Sequence, residues 1–247
     1  MRRKVIRVVF AALIGLIVLF TFIFILHRQP SVMLVPKVTV TIPEGYTVAE
    51  INKKLNDVGV LNGQDLPSGI EGYLFPDTYQ FFVSSSPDVV LQKFISNFNL
   101  KVAPLFSENT NIQQTLIVAS LIEREIKPAP TSTPYSKSDR AIVSGIIQKR
   151  LANNMPLQID ATLCYIKPEP CLPLTPQDMK VDSPYNTYIH SGLPPTPIDN
   201  PGADAIYAAL HPVPSSYWFF LSDPKTGVTV FAKTLDQQSQ NIVKYLQ

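Results

Sequence analysis

From Val8 to Leu26 the chain runs through 19 positions without a charged residue. Wound as a helix, that run is roughly 28 Å long, close to the thickness of a bilayer's hydrocarbon core. Arg2, Arg3, Lys4 and Arg7 precede it, and His27 and Arg28 end it. A cleaved signal peptide has a shorter apolar region, about 7–15 residues, followed by a small-x-small cleavage site. The stretch from Gln29 to Pro36 offers no such site. Residues 1–28 are therefore read as a basic cytoplasmic tail and an uncleaved single-pass anchor, in preference to a buried core helix. Four basic residues before the run, against one arginine just after it, put the N-terminus in the cytoplasm and everything from residue 29 onward on the far side.

Setting that basic tail aside leaves 17 Lys+Arg against 19 Asp+Glu, a net charge of −2, so the overall +2 belongs to the anchor. The remainder has no basic footprint of the kind nucleic acid requires. Three histidines at 27, 190 and 211 and two cysteines at 164 and 171 form no metal-ligand cluster, and no cofactor is expected. An oxidising far side would permit a local Cys164–Cys171 disulfide.

Beyond the anchor, residues 29–37 read as a linker. Val38–Ile42 alternates as a strand, and Thr47 with Glu50 three residues on has the form of a capping box. That box opens a helix to about Val58, with Val48, Ile51, Leu55 and Val58 on one face and Gly59 as its stop. Further helices are predicted over 87–98, 112–126, 139–151 and 235–246, and strands over 217–221 and 228–231. Ile142, Ile146 and Arg150 share one side of the 139–151 helix. The Pro/Ser/Thr stretch 128–138 reads as a surface loop, and 155–214 as proline-rich with scarce regular structure. The fold class is α+β: a small unit over 38–66 and a larger mixed domain over 67–247.

Leu116–Lys127 is the segment most able to carry chemistry. Leu116, Ala119, Ser120 and Glu123 share one helical face, and Val118, Leu121, Ile122 and Glu125 share another. A carboxyl among apolar residues is costly to ionise, which is how a glutamate becomes a general acid near neutral pH. The plainer alternative has both glutamates capping a core helix and pairing with Arg124 or Lys127.

Four segments in order, IEGYLFPDTYQF (70–81), ASLIERE (119–125), KRLANNMPLQIDATLCY (149–165) and SPYNTYIHSGLPPTPIDNPG (183–202), together resemble the YceG-like family. Its characterised members are endolytic murein transglycosylases. The resemblance extends from about Val38 to the C-terminus and makes 38–66 a truncated LysM-like subdomain. It implies a membrane-anchored lyase that cuts peptidoglycan glycan strands internally, leaves 1,6-anhydro-muramyl ends and ends nascent strands beside peptidoglycan synthases. It also implies the bacterial cell (inner) membrane as location. The family pattern assigns the catalytic acid to Glu123, with Glu125 as the fallback. Gln158, Asp160 and Thr162 are expected to alternate along an extended segment, Gln158 and Asp160 lining the cleft. Asn186 is expected to bind acetamide groups, and Tyr185 and Tyr188 to offer faces for sugar rings. Glu71 and Asp77 are read as fixing turns in an aromatic wall. A muramidase acting on the same bond, and a non-catalytic wall-binding scaffold, are the competing functions.

Overall fold

The computed structural model describes residues 2–27, 35–126, 134–167 and 170–246. It divides into two compact units, 1–36 and 37–247. In the first, helix α1 (Arg2–His27) contains the uncharged run, and Leu16, Phe20 and Phe24 are exposed along it. Among the described residues no helix is long and apolar enough to cross a membrane. Most of the predicted linker falls outside the described residues.

The described part of the second unit is a mixed α+β structure with two separate two-stranded antiparallel sheets. Strand β1 (Lys37–Ile42) pairs with β2 (Asp77–Phe82) in a register that sets Val40 opposite Tyr79 and Val38 opposite Phe81. Between them lies helix α2 (Val48–Asp57), which begins at the predicted capping box: Thr47 accepts from the Glu50 amide, and the Glu50 carboxylate accepts from the Thr47 amide. Helix α3 (Pro87–Lys101) has Pro87 at its first position and buries Val90, Phe94 and Phe98 at helical spacing.

Val40, Ile42, Ile51, Leu55, Tyr79 and Phe94 close one core. This core takes residues from both sides of position 66, because β1 pairs with β2. The stretch read as an aromatic wall runs through a turn and ends in strand β2, whose inward Tyr79 and Phe81 pack on Phe94 at ring-centroid distances of 4.5 and 5.9 Å. Asp77 accepts from the adjacent Thr78 amide, whereas Glu71 reaches 23 residues back to accept from the Val48 amide at the start of α2, so it ties two segments together and does not fix its own turn.

A second core surrounds helix α4 (Ile112–Glu125), whose residues 116–123 are all buried. Asn111 caps it by accepting from the Gln114 amide. Helix α5 (Pro134–Ala152) packs on it and starts five residues earlier than predicted, inside the Pro/Ser/Thr stretch; residues 128–133 of that stretch lie outside the described set. Arg150 is buried and donates to the carbonyls of Trp218, Pro156 and Leu157, which ties the chain after α5 to the last hairpin. That hairpin is β3 (Phe219–Ser222) with β4 (Thr229–Ala232), displaced by one or two residues from expectation, and helix α8 (Leu235–Leu246) follows.

The proline-rich region holds more regular structure than its composition suggests. Helix α6 (Asp160–Ile166) and helix α7 (Ala203–Leu210) both lie in it. Four alanines give α7 high helix propensity, and Ala205, Ile206, Ala208 and Ala209 bury its inner side against α4. Cys164 and Cys171 are joined in a disulfide.

Candidate active site

The two glutamates of α4 have opposite surroundings. Glu123 is buried and ion-paired with Arg140 of α5, the side chains being 4% and 3% exposed. The guanidinium donates to both carboxylate oxygens, at 2.9 and 3.3 Å. The Gly202 amide adds a third bond at 3.0 Å. Of the two neighbouring cations expected to pair, Arg124 reaches the Gly45 carbonyl at 3.4 Å, and Lys127 lies outside the described residues. The partner came from 17 residues away because α5 folds back along α4.

Glu125 sits two residues on, at the last position of α4, and is partly exposed. Its carboxyl is pushed up to about 7, first by burial among protein atoms and second by the negative field of Asp160, with Arg124 opposing. At neutral pH such a group is present in both protonation states, which suits proton transfer in either direction.

The backbone around Glu125 is held on both sides. Arg140 donates to the Ile126 carbonyl at 3.0 Å as well as to Glu123, and the Ser222 hydroxyl donates to the Glu125 carbonyl at 2.8 Å. Arg140 therefore grips the residues before and after Glu125. An ion pair this buried is sustained by geometry rather than by net gain, and removing one partner strands the other.

Of the expected cleft residues, Asp160 and Tyr188 come together beside Glu125. The Tyr188 hydroxyl donates to Asp160, and burial together with the Asp160 and Glu125 charges raises the phenol well above its ordinary range. Gln158 is exposed nearby, with its amide on the Thr187 carbonyl at 2.9 Å and a positive φ of 54°. The expected extended alternation does not occur. Asp160 opens α6 and stays exposed, while Thr162 turns inward, where its hydroxyl meets the Ile159 carbonyl and the Thr187 hydroxyl.

Asn186 is placed within its own loop. It is fully buried, its amide donating to the carbonyls of Met179 and Val181 and its oxygen accepting from the Tyr188 amide, so it is spent on the loop. Tyr185 lies apart from Glu125. Its ring meets Tyr165 at 5.1 Å and its hydroxyl meets Thr196 at 2.7 Å.

Sequence reasoning passed over Arg140, Asp199 and Asn200. Asn200 is buried and accepts from the amides of Gly72 and Leu74 while donating to the Tyr46 carbonyl. It joins β1's following turn, the 70–75 segment and the start of α7. The signal for it was its place in the quoted segment 183–202; its partners lie more than 120 residues away in the chain. Among the described residues no group of acidic, histidine or cysteine side chains could hold a metal ion.

The YceG-like family profile matches residues 22–244. The chain belongs to the YceG-like family. It is 36% identical over 185 residues to an endolytic murein transglycosylase of Bacillus subtilis (strain 168), covering 72% of this chain and 48% of that protein. An endolytic murein transglycosylase of Streptococcus pneumoniae serotype 2 (strain D39 / NCTC 7466) is 27% identical over 84% of this chain and 44% of that protein. The chain thus spans just under half the length of these curated relatives. A crystal structure of a yceG-like protein from Listeria monocytogenes superposes with a TM-score of 0.65 at 29% identity, covering 82% of this chain and 75% of that one.

Proposed function

We propose that this chain is a membrane-anchored endolytic lytic transglycosylase of peptidoglycan, with Glu125 as its proton carrier. The observation that carries this reading is the Glu125 carboxyl, partly exposed at the end of α4 and raised to about 7. Membership of the YceG-like family and the named activity of its relatives support the substrate class. Between the two glutamates, geometry favours Glu125 over Glu123. Both Glu123 oxygens already accept from Arg140 or Gly202 and its side chain is buried, so it presents no free oxygen to a substrate, whereas Glu125 is partly exposed.

The chemistry needs one carboxylic acid. Protonated Glu125 gives its proton to the glycosidic oxygen as the bond breaks, and the sugar passes through an oxocarbenium-like state. The muramyl C6 hydroxyl then attacks the anomeric carbon, and the Glu125 carboxylate takes that hydroxyl's proton. The products are a 1,6-anhydro end and the regenerated acid; no water enters the balance. Asp160 holds the proton on Glu125 through its charge, and Tyr188 holds Asp160. Gln158 is available for a sugar hydroxyl or acetamide. Glu123 and Arg140 position the helix end.

The uncharged run Val8–Leu26 with its basic flank supports anchoring in the bacterial cell membrane, with the domain from residue 37 on the far side. The unit built on β1, α2, β2 and α3 is read as LysM-like and as a contributor to glycan contact. Release of nascent strands near peptidoglycan synthases is the cellular role this predicts.

The test is product analysis. The purified chain incubated with peptidoglycan should yield anhydro-muramyl ends by mass spectrometry. Reducing ends would replace this reading by a muramidase, and no cleavage by folded protein would replace it by a wall-binding scaffold.

A further inference from the structure

A carboxyl group that the proposed reaction does not use lies beneath the site. Asp199 is completely buried, and neither of its oxygens has a hydrogen-bond partner among the described residues. It sits where three segments meet. The Pro43-Glu44-Gly45 turn that follows β1 packs over it, and a Cβ on Gly45 would touch Asp199 Oδ2 and Glu123 Cγ at 3.6 Å, an ordinary contact distance. Gly45 has a φ of +77°, so the turn depends on glycine for its conformation. The same turn is pinned by its amide to the Asn200 carbonyl at 3.0 Å and by its carbonyl to Arg124. The Glu44 carboxylate presses on Gly202 so closely that a Cβ there would overlap it, at 2.0 Å, while the Gly202 amide bonds Glu123.

The groups facing Asp199 are Glu123 and Arg124 from α4, Arg140 from α5 and Glu50 from α2. Arg140 is already committed to Glu123 and Ile126, and Arg124 is exposed and bonded to Gly45. Asp199 therefore has no cation to itself, and an ionised, unpaired carboxylate at full burial is strongly disfavoured.

We propose that Asp199 is a positioning residue that must be uncharged for the Pro43–Gly45 turn to seat on the Glu123–Arg140 pair. Ionising it loosens that joint and with it the end of α4 that carries Glu125. The link to catalysis rests on Glu125 being the acid; the joint itself does not. Burial and the nearby Glu123 hold the Asp199 carboxyl well above the usual carboxylate range, in line with this geometry. The fold then binds more protons than the unfolded chain, so its stability is greatest at low pH and declines as pH rises toward the folded-state value. Glu44, also raised by burial and by Glu123, adds a smaller slope of the same sign.

The experiment uses the full chain carrying Glu125→Gln, so that titration of the acid itself is removed. Its unfolding is followed from pH 5 to pH 9 with and without Asp199→Asn, which keeps the shape and cannot ionise. The parent should lose stability with rising pH by up to about tenfold in the folding equilibrium per pH unit, and the Asn variant should lose most of that slope. A slope unchanged by Asp199→Asn overturns the proposal. If the variant does not fold, amide exchange on the parent decides: protection of Gly45 and Gly202, corrected for intrinsic rate, should fall with pH while that of Phe94 stays level. A uniform response across all three amides overturns the proposal as well. With Glu125 restored, Asp199→Asn should keep a higher kcat at pH 8–9 with KM little changed. Cleavage activity surviving in Glu125→Gln would instead refute the assignment of the acid and leave the stability result standing.

Discussion

Replacing Glu125 by Gln separates its chemistry from its burial. The substitution keeps the shape of the carboxyl and removes its proton. Loss of a positioned general acid slows a reaction by roughly 10²- to 10⁴-fold, so strand cleavage should fall by that factor. Stability should move the other way. Holding a carboxyl at about 7 in place of its ordinary 4.5 costs the fold about 3 kcal/mol at pH 8, an upper bound because partial exposure keeps some hydration. The fold binds more protons than the unfolded chain between those two values, so this cost is small at pH 5 and grows as pH rises through 7. Glu125→Gln should therefore unfold at higher denaturant than wild type at pH 8, with the two nearly level at pH 5. Glu123→Gln is the contrast. It leaves Arg140 buried without its counter-charge, so about 3–5 kcal/mol of stability should be lost at any pH where the carboxylate is ionised. Anhydro-muramyl ends are counted by mass spectrometry on the same preparations. Full cleavage by Glu125→Gln, together with a folded but inactive Glu123→Gln, would refute the reasoning.

Asp160→Asn removes the charge that helps to keep Glu125 protonated, so the alkaline limb of cleavage activity should move to lower pH by up to about one pH unit; an unmoved limb in the pH–rate profile would mean burial alone sets Glu125. Asn200→Ala leaves the buried amides of Gly72 and Leu74 without acceptors and should cost about 3–5 kcal/mol, read as the shift in urea midpoint at constant slope. Replacing both Cys164 and Cys171 by Ser opens a loop of sequence separation 7 and should cost about 2–3 kcal/mol in thermal unfolding, with cleavage retained at low temperature because neither residue touches Glu125.

Much of the architecture was legible in local pattern. The Thr47–Glu50 capping box, the Val90–Phe94–Phe98 stripe and the apolar run 116–122 each state their element within a few turns of chain, and each forms as expected. The burial of the glutamate segment was legible, since apolar surroundings for a carboxyl are visible in the sequence. The α7 helix was hidden by the prolines around it, although its four alanines were a usable signal.

The sequence by itself determined most of the segments that carry regular structure and which family the motifs belong to, and it placed two candidate acids, Glu123 and Glu125, on one helix. It could not divide the work between those two residues. They sit two apart on one helix, and helical spacing alone only says that they point in different directions. The division was made by groups remote in sequence: Arg140 from α5 and the Gly202 amide at the start of α7 bind one carboxylate, and Asp160 at the start of α6 faces the other. Asn186 and Asp199 teach the same lesson in reverse. One looked like a ligand-binding amide and is enclosed by its own loop, while the other is a buried carboxyl without a hydrogen-bond partner among the described residues. Hydrogen-bond partners and burial are properties of the packed chain, and only the tertiary structure decides whether a polar side chain serves the fold or the reaction.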